Sequence, residues 1–213
     1  MRCVTLSLGM THSDPRYLAF WGKAQPCENA THSWHPVAYH LLDVAAAADA
    51  LLAARTHALG VGARLLGMEV GAARRLVVAL AALHDLGKFG WAFQAKVEAR
   101  WPAEILGTYR PSVAGQAHTS DGLWLWEDVL AASVTARIGA PHAVLLHQLA
   151  PAVFGHHGRP VTRGRGPVVD GLGAPSVAAA SECAGDLLTF LHSAGVDGTG
   201  VPRTRGDEPR AVG

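Results

Sequence analysis

The chain has 213 residues, of which 49% are apolar and only 16% charged, a balance that excludes a disordered, charge-dominated polypeptide and predicts one globular domain with a real core. Eighteen basic residues against seventeen acidic ones leave a net charge of +1. No broad basic footprint for nucleic acid or a membrane surface is present, so any contact with DNA must be local.

The opening residues reach His12, Asp14, Pro15 and Arg16 without the apolar stretch of a signal peptide. The longest aliphatic run, Leu76 to Leu83, is far shorter than the roughly 20 residues that span a bilayer. A cytoplasmic protein with no membrane partner is expected. Cys3, Cys27 and Cys183 are odd in number, far apart and without CxxC spacing, which points to reduced thiols rather than a disulfide or zinc-thiolate framework.

Along the chain, the first thirty or so residues have little periodicity and read as a loop-rich segment packed by Phe20, Trp21 and Trp34. From Pro36 to about Leu59 the Ala- and Leu-rich pattern predicts a long helix, and Gly67 to Leu86 predicts a second, with His84 and Asp85 in its last turn and Gly87 as its stop. Met68, Leu76, Val77, Leu80 and Leu83 of that second helix are candidate core residues. Trp91 to Trp101 reads as a short helix closed by Pro102, followed by a loop to Ser112. Gln116 to about Ile138 is helical with His118 in its first turn. His142 to Phe154 is a helix carrying Pro151 that ends or kinks before Gly155-His156-His157-Gly158. Arg159 to Pro175 is a Gly/Pro/Arg loop. Ser176, an N-cap candidate, leads a last helix to His192. Residues 193–213, rich in Gly, Pro, Arg and Asp, read as a disordered tail after a domain of residues 1–192. No alternating β pattern and no internal repeat is visible, so the fold class is all-α.

Twelve histidines are the anomaly of the composition. A lone histidine on an apolar helix usually packs in a core or faces solvent, and a His-Asp dipeptide arises by chance. The tandem His156-His157 between glycines is harder to dismiss, because two adjacent polar rings among apolar neighbours need partners for their nitrogens. Imidazole nitrogens and carboxylate oxygens from separate helices are also what a two-metal hydrolytic site requires. His40, His84, Asp85, His118, His156 and His157 form such a set, with His84-Asp85 at its centre because one carboxylate can face two ions. His12, His32, His35, His57, His142, His147 and His192 read as structural or surface residues, with His35 the first to reconsider.

Trp21-Gly22-Lys23, the stretch His35-Pro36-Val37-Ala38-Tyr39-His40-Leu41-Leu42-Asp43-Val44-Ala45, His84-Asp85-Leu86-Gly87-Lys88, Phe93-Gln94 and Gly155-His156-His157-Gly158 resemble, in order and spacing over roughly residues 15–192, the HD nuclease domain of the CRISPR-associated type I effector nuclease-helicase. The resemblance implies a helical bundle holding one or two divalent metal ions and cutting single-stranded DNA delivered by a helicase. It implies that His40, His84 and Asp85 hold one ion, that Asp85, His118, His156 and His157 hold the other, and that Lys88 contacts the scissile phosphate or the attacking water. Such a His-rich site suits manganese, nickel, cobalt or iron better than magnesium.

Two departures stand out. The family pattern closes on a further aspartate in a Ser/Ala-Asp-Trp context, whereas Asp186 here precedes Leu187-Leu188 and Asp197 lies in the Gly-rich tail. No GxxxxGK[ST] phosphate loop is present, so a helicase subunit and the type I effector complex are expected as partners in trans. Val201 to Arg210 resembles a GC-rich CRISPR repeat translated in one frame, which makes a truncated, catalytically impaired nuclease one alternative reading. An HD phosphohydrolase acting on nucleotides is another. Arg159, Arg163 and Arg165 are candidates for guiding a DNA backbone.

Overall fold

The computed structural model describes residues 14–24, 34–111, 117–138, 143–159, 161 and 172–193. The readings made for Cys3, Cys27, His12, His32, His142, Arg163, Arg165, Asp197 and the tail beyond Ser193 lie outside the described residues, as do the side chains of His147 and His192.

Val37, Leu41 and Ala45 repeat every fourth residue, and the face they form is buried when α1 (Val37–Ala54) packs along α3 (Val70–Leu83). By length and composition alone α1 is apolar enough to cross a membrane, but here it is the helix that carries His40 into the interior. The single helix expected from Pro36 to Leu59 is in fact two. Its backbone leaves the helical region at Arg55 (φ −118°, ψ 51°), and α2 (Thr56–Leu66) follows, closed by Gly67 in the left-handed conformation at φ 63°. The break turns Leu59 and Ala63 onto Ala73 of α3, whereas a straight continuation would leave that apolar pair in water. Gly67 is therefore the terminator of α2 rather than the start of the second long helix.

Arg74 on α3 is buried, and its guanidinium grips Asp49 of α1 through two contacts of 2.6 and 2.8 Å. The α3 helix ends at Leu83. His84 caps it and Asp85 lies just beyond, instead of both sitting in its last turn. A buried 3-10 turn, Leu86–Phe89, comes next. The helix expected over 91–101 shrinks to one turn, α4 (Trp91–Gln94), and a 3-10 turn at Glu98–Arg100. The following loop contains one further helical turn, α5 (Ala103–Leu106), stopped by Gly107 at φ 74°.

Helix α6 (His118–Leu125) passes through a wider π turn, Trp126–Leu130, into α7 (Ala131–Ile138), and so begins two residues later than the pattern predicts. Helix α8 (Ala143–Phe154) keeps Pro151 inside and ends directly before Gly155, as expected. The last helix, α9 (Ala174–Ser193), starts ahead of Ser176, whose buried hydroxyl caps nothing. Trp126, Phe20, Phe89, Phe154, Leu41, Leu83 and Leu86 are among the largest side chains of the shared core. Leu76, Leu80 and Leu83 of α3 lie in it, with Val78 rather than Val77 as the buried valine. Cys183 on α9 is a free, buried thiol, pushed up to about 12 by its burial.

The segment read as loop holds a two-stranded antiparallel sheet. Strand β1 (Trp21–Ala24) pairs with β2 (Trp34–Pro36), Lys23 opposite His35, with an irregularity between Trp21 and Lys23. Strands this short, containing Gly22 and Pro36, carry no alternation to detect. The described residues are otherwise helical, an all-α bundle whose small sheet fastens the start of α1 to the turn after Asp85.

Candidate metal centre

Asp85 is almost fully buried, and its two carboxylate oxygens face different sets of partners. Oδ2 lies 2.8 Å from His40 Nε2, 3.1 Å from His84 Nε2 and 2.6 Å from Lys88 Nζ. Oδ1 lies 3.2 Å from His118 Nε2 and 3.3 Å from His156 Nε2, and His157 Nε2 stands 3.3 Å from that of His118. All seven site residues singled out in the sequence thus converge on one place. Their donor atoms fall into two groups, His40-His84-Asp85 and His118-His156-His157, with Asp85 reaching both.

Backbone carbonyls orient two of these rings. His84 Nδ1 donates to the Ala81 carbonyl at 2.7 Å and His156 Nδ1 to that of Val153 at 3.3 Å, each three residues back along its own helix. A carbonyl only accepts, so in the neutral imidazole the lone pair is left on Nε2, the atom aimed at Asp85. With both rings neutral, lone pairs therefore face lone pairs. Asp85 Oδ1, buried and with no well-directed hydrogen bond, is the clearest instance. An arrangement of acceptors around a buried carboxylate oxygen is unfavourable unless a cation sits among them, and this is the observation by which the residues present fit a divalent metal.

Electrostatics agree with the geometry. Burial alone would raise the Asp85 carboxyl, but the imidazoles of His118, His40 and His84 outweigh it and hold the group ionised, well below the usual carboxylate range. For His156, burial lowers the imidazole below its ordinary value, and His84 and His157 push the same way against the pull of Asp85. A neutral imidazole beside an ionised carboxylate is the protonation state that metal ligation needs.

Lys88 was expected in the site, but what holds it there was not. Its buried ammonium also donates to the Gly22 carbonyl at 3.3 Å. The side chain of Gln94, fully buried, donates to the carbonyls of Lys88 at 2.7 Å and Trp21 at 2.9 Å, and accepts from the Trp21 N–H at 3.1 Å. The Trp21 indole returns a bond to the Gln94 carbonyl at 3.1 Å. Gln94, at the end of α4, thus ties β1 to the turn that carries Lys88. The tryptophan and glutamine were visible as motif residues, but their mutual bonding has no signal in spacing.

Two glycines set the distances between the histidine-bearing segments. A Cβ on Gly87 would overlap the His118 carbonyl and lie 2.5 Å from the Gly122 nitrogen, and one on Gly122 would lie 2.6 Å from the Phe154 ring. The turn after Asp85 is thus pressed onto α6, and α6 onto the end of α8, just before the histidine pair.

Other candidates fall elsewhere. His35 pairs with Asp43 at 2.9 Å in an exposed position, and His57 is exposed on α2. Asp186 accepts from the Tyr17 hydroxyl at 2.9 Å instead of facing the histidines, so it does not replace the further aspartate of the family pattern. Arg159 is exposed, directly after the histidine turn.

The sequence pattern of the family described as "Cas3, HD domain" matches residues 21–194. A solved structure described as "Crystal structure of CRISPR-associated protein" is similar at 25% identity with a TM-score of 0.60, over 90% of this chain. The match spans 20% of that longer chain. No curated relative matches the chain.

Proposed function

The chain belongs to the Cas3 HD-domain family, a CRISPR-associated class of metal-dependent hydrolase, and from that premise we propose that it is a nuclease hydrolysing phosphodiester bonds of single-stranded DNA in antiviral defence. The observation that carries the reading is Asp85, one carboxylate whose two oxygens face two separate sets of imidazoles. In this proposal His40, His84 and Asp85 hold one divalent ion, and His118, His156, His157 and Asp85 a second, with manganese, nickel, cobalt or iron favoured over magnesium by the nitrogen-rich donors. Bound ions would supply a lowered pKa for water and neutralise charge on the phosphodiester oxygens.

The chain's own residues do the rest. The Ala81 and Val153 carbonyls fix the tautomers of His84 and His156. Lys88 presents a positive charge at the carboxylate, where it can meet a phosphate oxygen as negative charge builds there. The exposed Arg159 lies beside the histidine turn, where a DNA backbone would pass on its way to the site. A helicase and a type I effector complex are the partners this reading gives it, in the cytoplasm.

The test is cleavage of circular single-stranded DNA with added Mn²⁺ or Ni²⁺, beside an Asp85→Ala control and a panel of nucleotides. Metal-dependent nicking that disappears in the control supports the proposal. Hydrolysis of nucleotides but not DNA would reassign the chain to HD phosphohydrolase chemistry. A folded, metal-loaded protein that cuts neither would assign it as an impaired nuclease, a reading favoured by the engagement of Asp186 with Tyr17.

A further inference from the structure

The two oxygens of Asp85 are not equivalent. Oδ2 already has a positive partner: Lys88 Nζ lies 2.6 Å away, inside a pocket where Lys88 and His40 are buried. The ammonium also donates to the Gly22 carbonyl at 3.3 Å, and the Lys88 backbone carbonyl is tied by Gln94. His40 Nε2, at 2.8 Å, is hydrogen-bonded to the same oxygen. On this side the electrostatic demand of the carboxylate is met, and among the described residues only two imidazoles beyond Asp85, those of His40 and His84, are grouped as donors.

Oδ1 is different. It is buried and receives no directed hydrogen bond, with His118 and His156 at 3.2 and 3.3 Å and His157 grouped with them. Three imidazoles and a carboxylate oxygen make four donors, the number a tetrahedral site uses. His156 and His157 are exposed, so an ion can reach this side from solvent, whereas His40 is buried.

We infer that Asp85 takes cations in a fixed order: the Oδ1 side, with His118, His156 and His157, fills first and tightly, while Lys88 acts as a resident positive charge that keeps a second ion off the Oδ2 side. The inference rests on the reading of the chain as a metal-dependent hydrolase. An ammonium and a divalent ion sharing one carboxylate oxygen repel each other in a poorly screened interior, so the second ion binds only as Lys88 gives up Oδ2. In the proposed reaction, a phosphate oxygen that draws the ammonium away would raise the affinity for the second ion at the moment substrate arrives. The number of bound ions is then coupled to substrate through Lys88.

The experiment is calorimetric titration of the whole chain with Mn²⁺ alone at neutral pH, with free Mn²⁺ followed by electron paramagnetic resonance. The wild type should bind one ion per chain tightly and a second at least about tenfold more weakly. Lys88→Met, which keeps the length of the stem and removes the charge, should tighten the second step by about tenfold or more and narrow the gap between the two. His157→Ala, at an exposed ring, should weaken the first step, and His40→Ala should remove the second while leaving the first in place. Circular dichroism establishes that each variant is folded. If Lys88→Met does not fold, the two histidine variants still decide the order. Two ions of equal affinity in the wild type, an unchanged gap in folded Lys88→Met, or loss of the tight step in His40→Ala would overturn the inference while leaving the hydrolase reading intact. A folded wild type that binds no ion would overturn both.

Discussion

The backbone carbonyl of His118 occupies the space in which a side chain on Gly87 would begin. This contact presses the turn after Asp85 against the first turn of α6 and so puts His118 Nε2 within 3.2 Å of the carboxylate. Alanine at position 87 has to push α6 outward by moving backbone, which no flexible side chain can absorb. Gly87→Ala is therefore expected to cost about 3 kcal/mol of stability and to weaken Mn²⁺ binding even where the protein still folds. Thermal melts with and without Mn²⁺ check this, and an unchanged metal affinity in folded Gly87→Ala would refute it. Gly122→Ala meets a side-chain ring, Phe154, rather than a carbonyl; the ring can shift, and the loss should be smaller.

Gln94 satisfies three buried backbone groups at once: the Trp21 N–H and the carbonyls of Trp21 and Lys88. Methionine has nearly the same shape and none of these bonds. Since each orphaned group costs on the order of 1 kcal/mol or more, Gln94→Met should lower stability by about 3 kcal/mol. It should also loosen Lys88, so turnover in the DNA assay should fall more than substrate affinity does. Denaturant unfolding and steady-state kinetics measure the two effects separately, and a variant as stable and active as wild type would show that the amide is dispensable.

Four of the site residues were legible because they stand in short motifs at turns, where chain punctuation is strong: His84-Asp85 before Gly87, and His156-His157 between glycines. The division of the site residues into two sets was implied by the family resemblance alone, with no local signal of its own. That His118 joins His156 and His157 while His40 joins His84 follows from the packing of α6 on the Leu86–Phe89 turn and of α1 along α3, which are long-range contacts without a local pattern. The helix break at Arg55 was missed for a similar reason. Nothing in its Ala-rich surroundings breaks a helix, and the gain comes from α2 covering Ala73 of α3. The small sheet was hidden because its stability lies in Gln94, some seventy residues away in sequence, rather than in its own composition.

Arg74 and Asp49 make an unequal pair. The arginine side chain is 7% exposed and the aspartate 31%, so each leaves a different orphan when its partner is removed. Asp49→Ala strands a buried guanidinium between α1 and α3 and should destabilise by about 3 kcal/mol. Arg74→Met leaves a carboxylate that reaches solvent and replaces the guanidinium with an apolar chain, and should cost about 1 kcal/mol. Chemical denaturation of both variants tests the order. Equal losses would mean that the pair acts as an ordinary surface ion pair.

Acid should destabilise the metal-free protein, and it should begin doing so well above the carboxylate range. The His156 imidazole is held below its ordinary 6.5, chiefly by burial. As pH falls through that ordinary value the unfolded chain takes up the proton before the folded one does, and stability drops. Its contribution is complete above 6.5 and is lost progressively as pH approaches the lower folded value. Asp85 adds the same sign in a lower window: its carboxyl is held below its ordinary 3.8, so its contribution persists above that value and is lost further into acid. Protons also compete with metal for the same imidazoles, so the metal-loaded protein should show a steeper fall. Thermal midpoints measured in chelator from neutral to mildly acidic pH should decline for the wild type, and His156→Gln should flatten the decline. A midpoint that rises as pH falls through about 6, or a His156→Gln curve parallel to wild type, would show that His156 is not the group lost first.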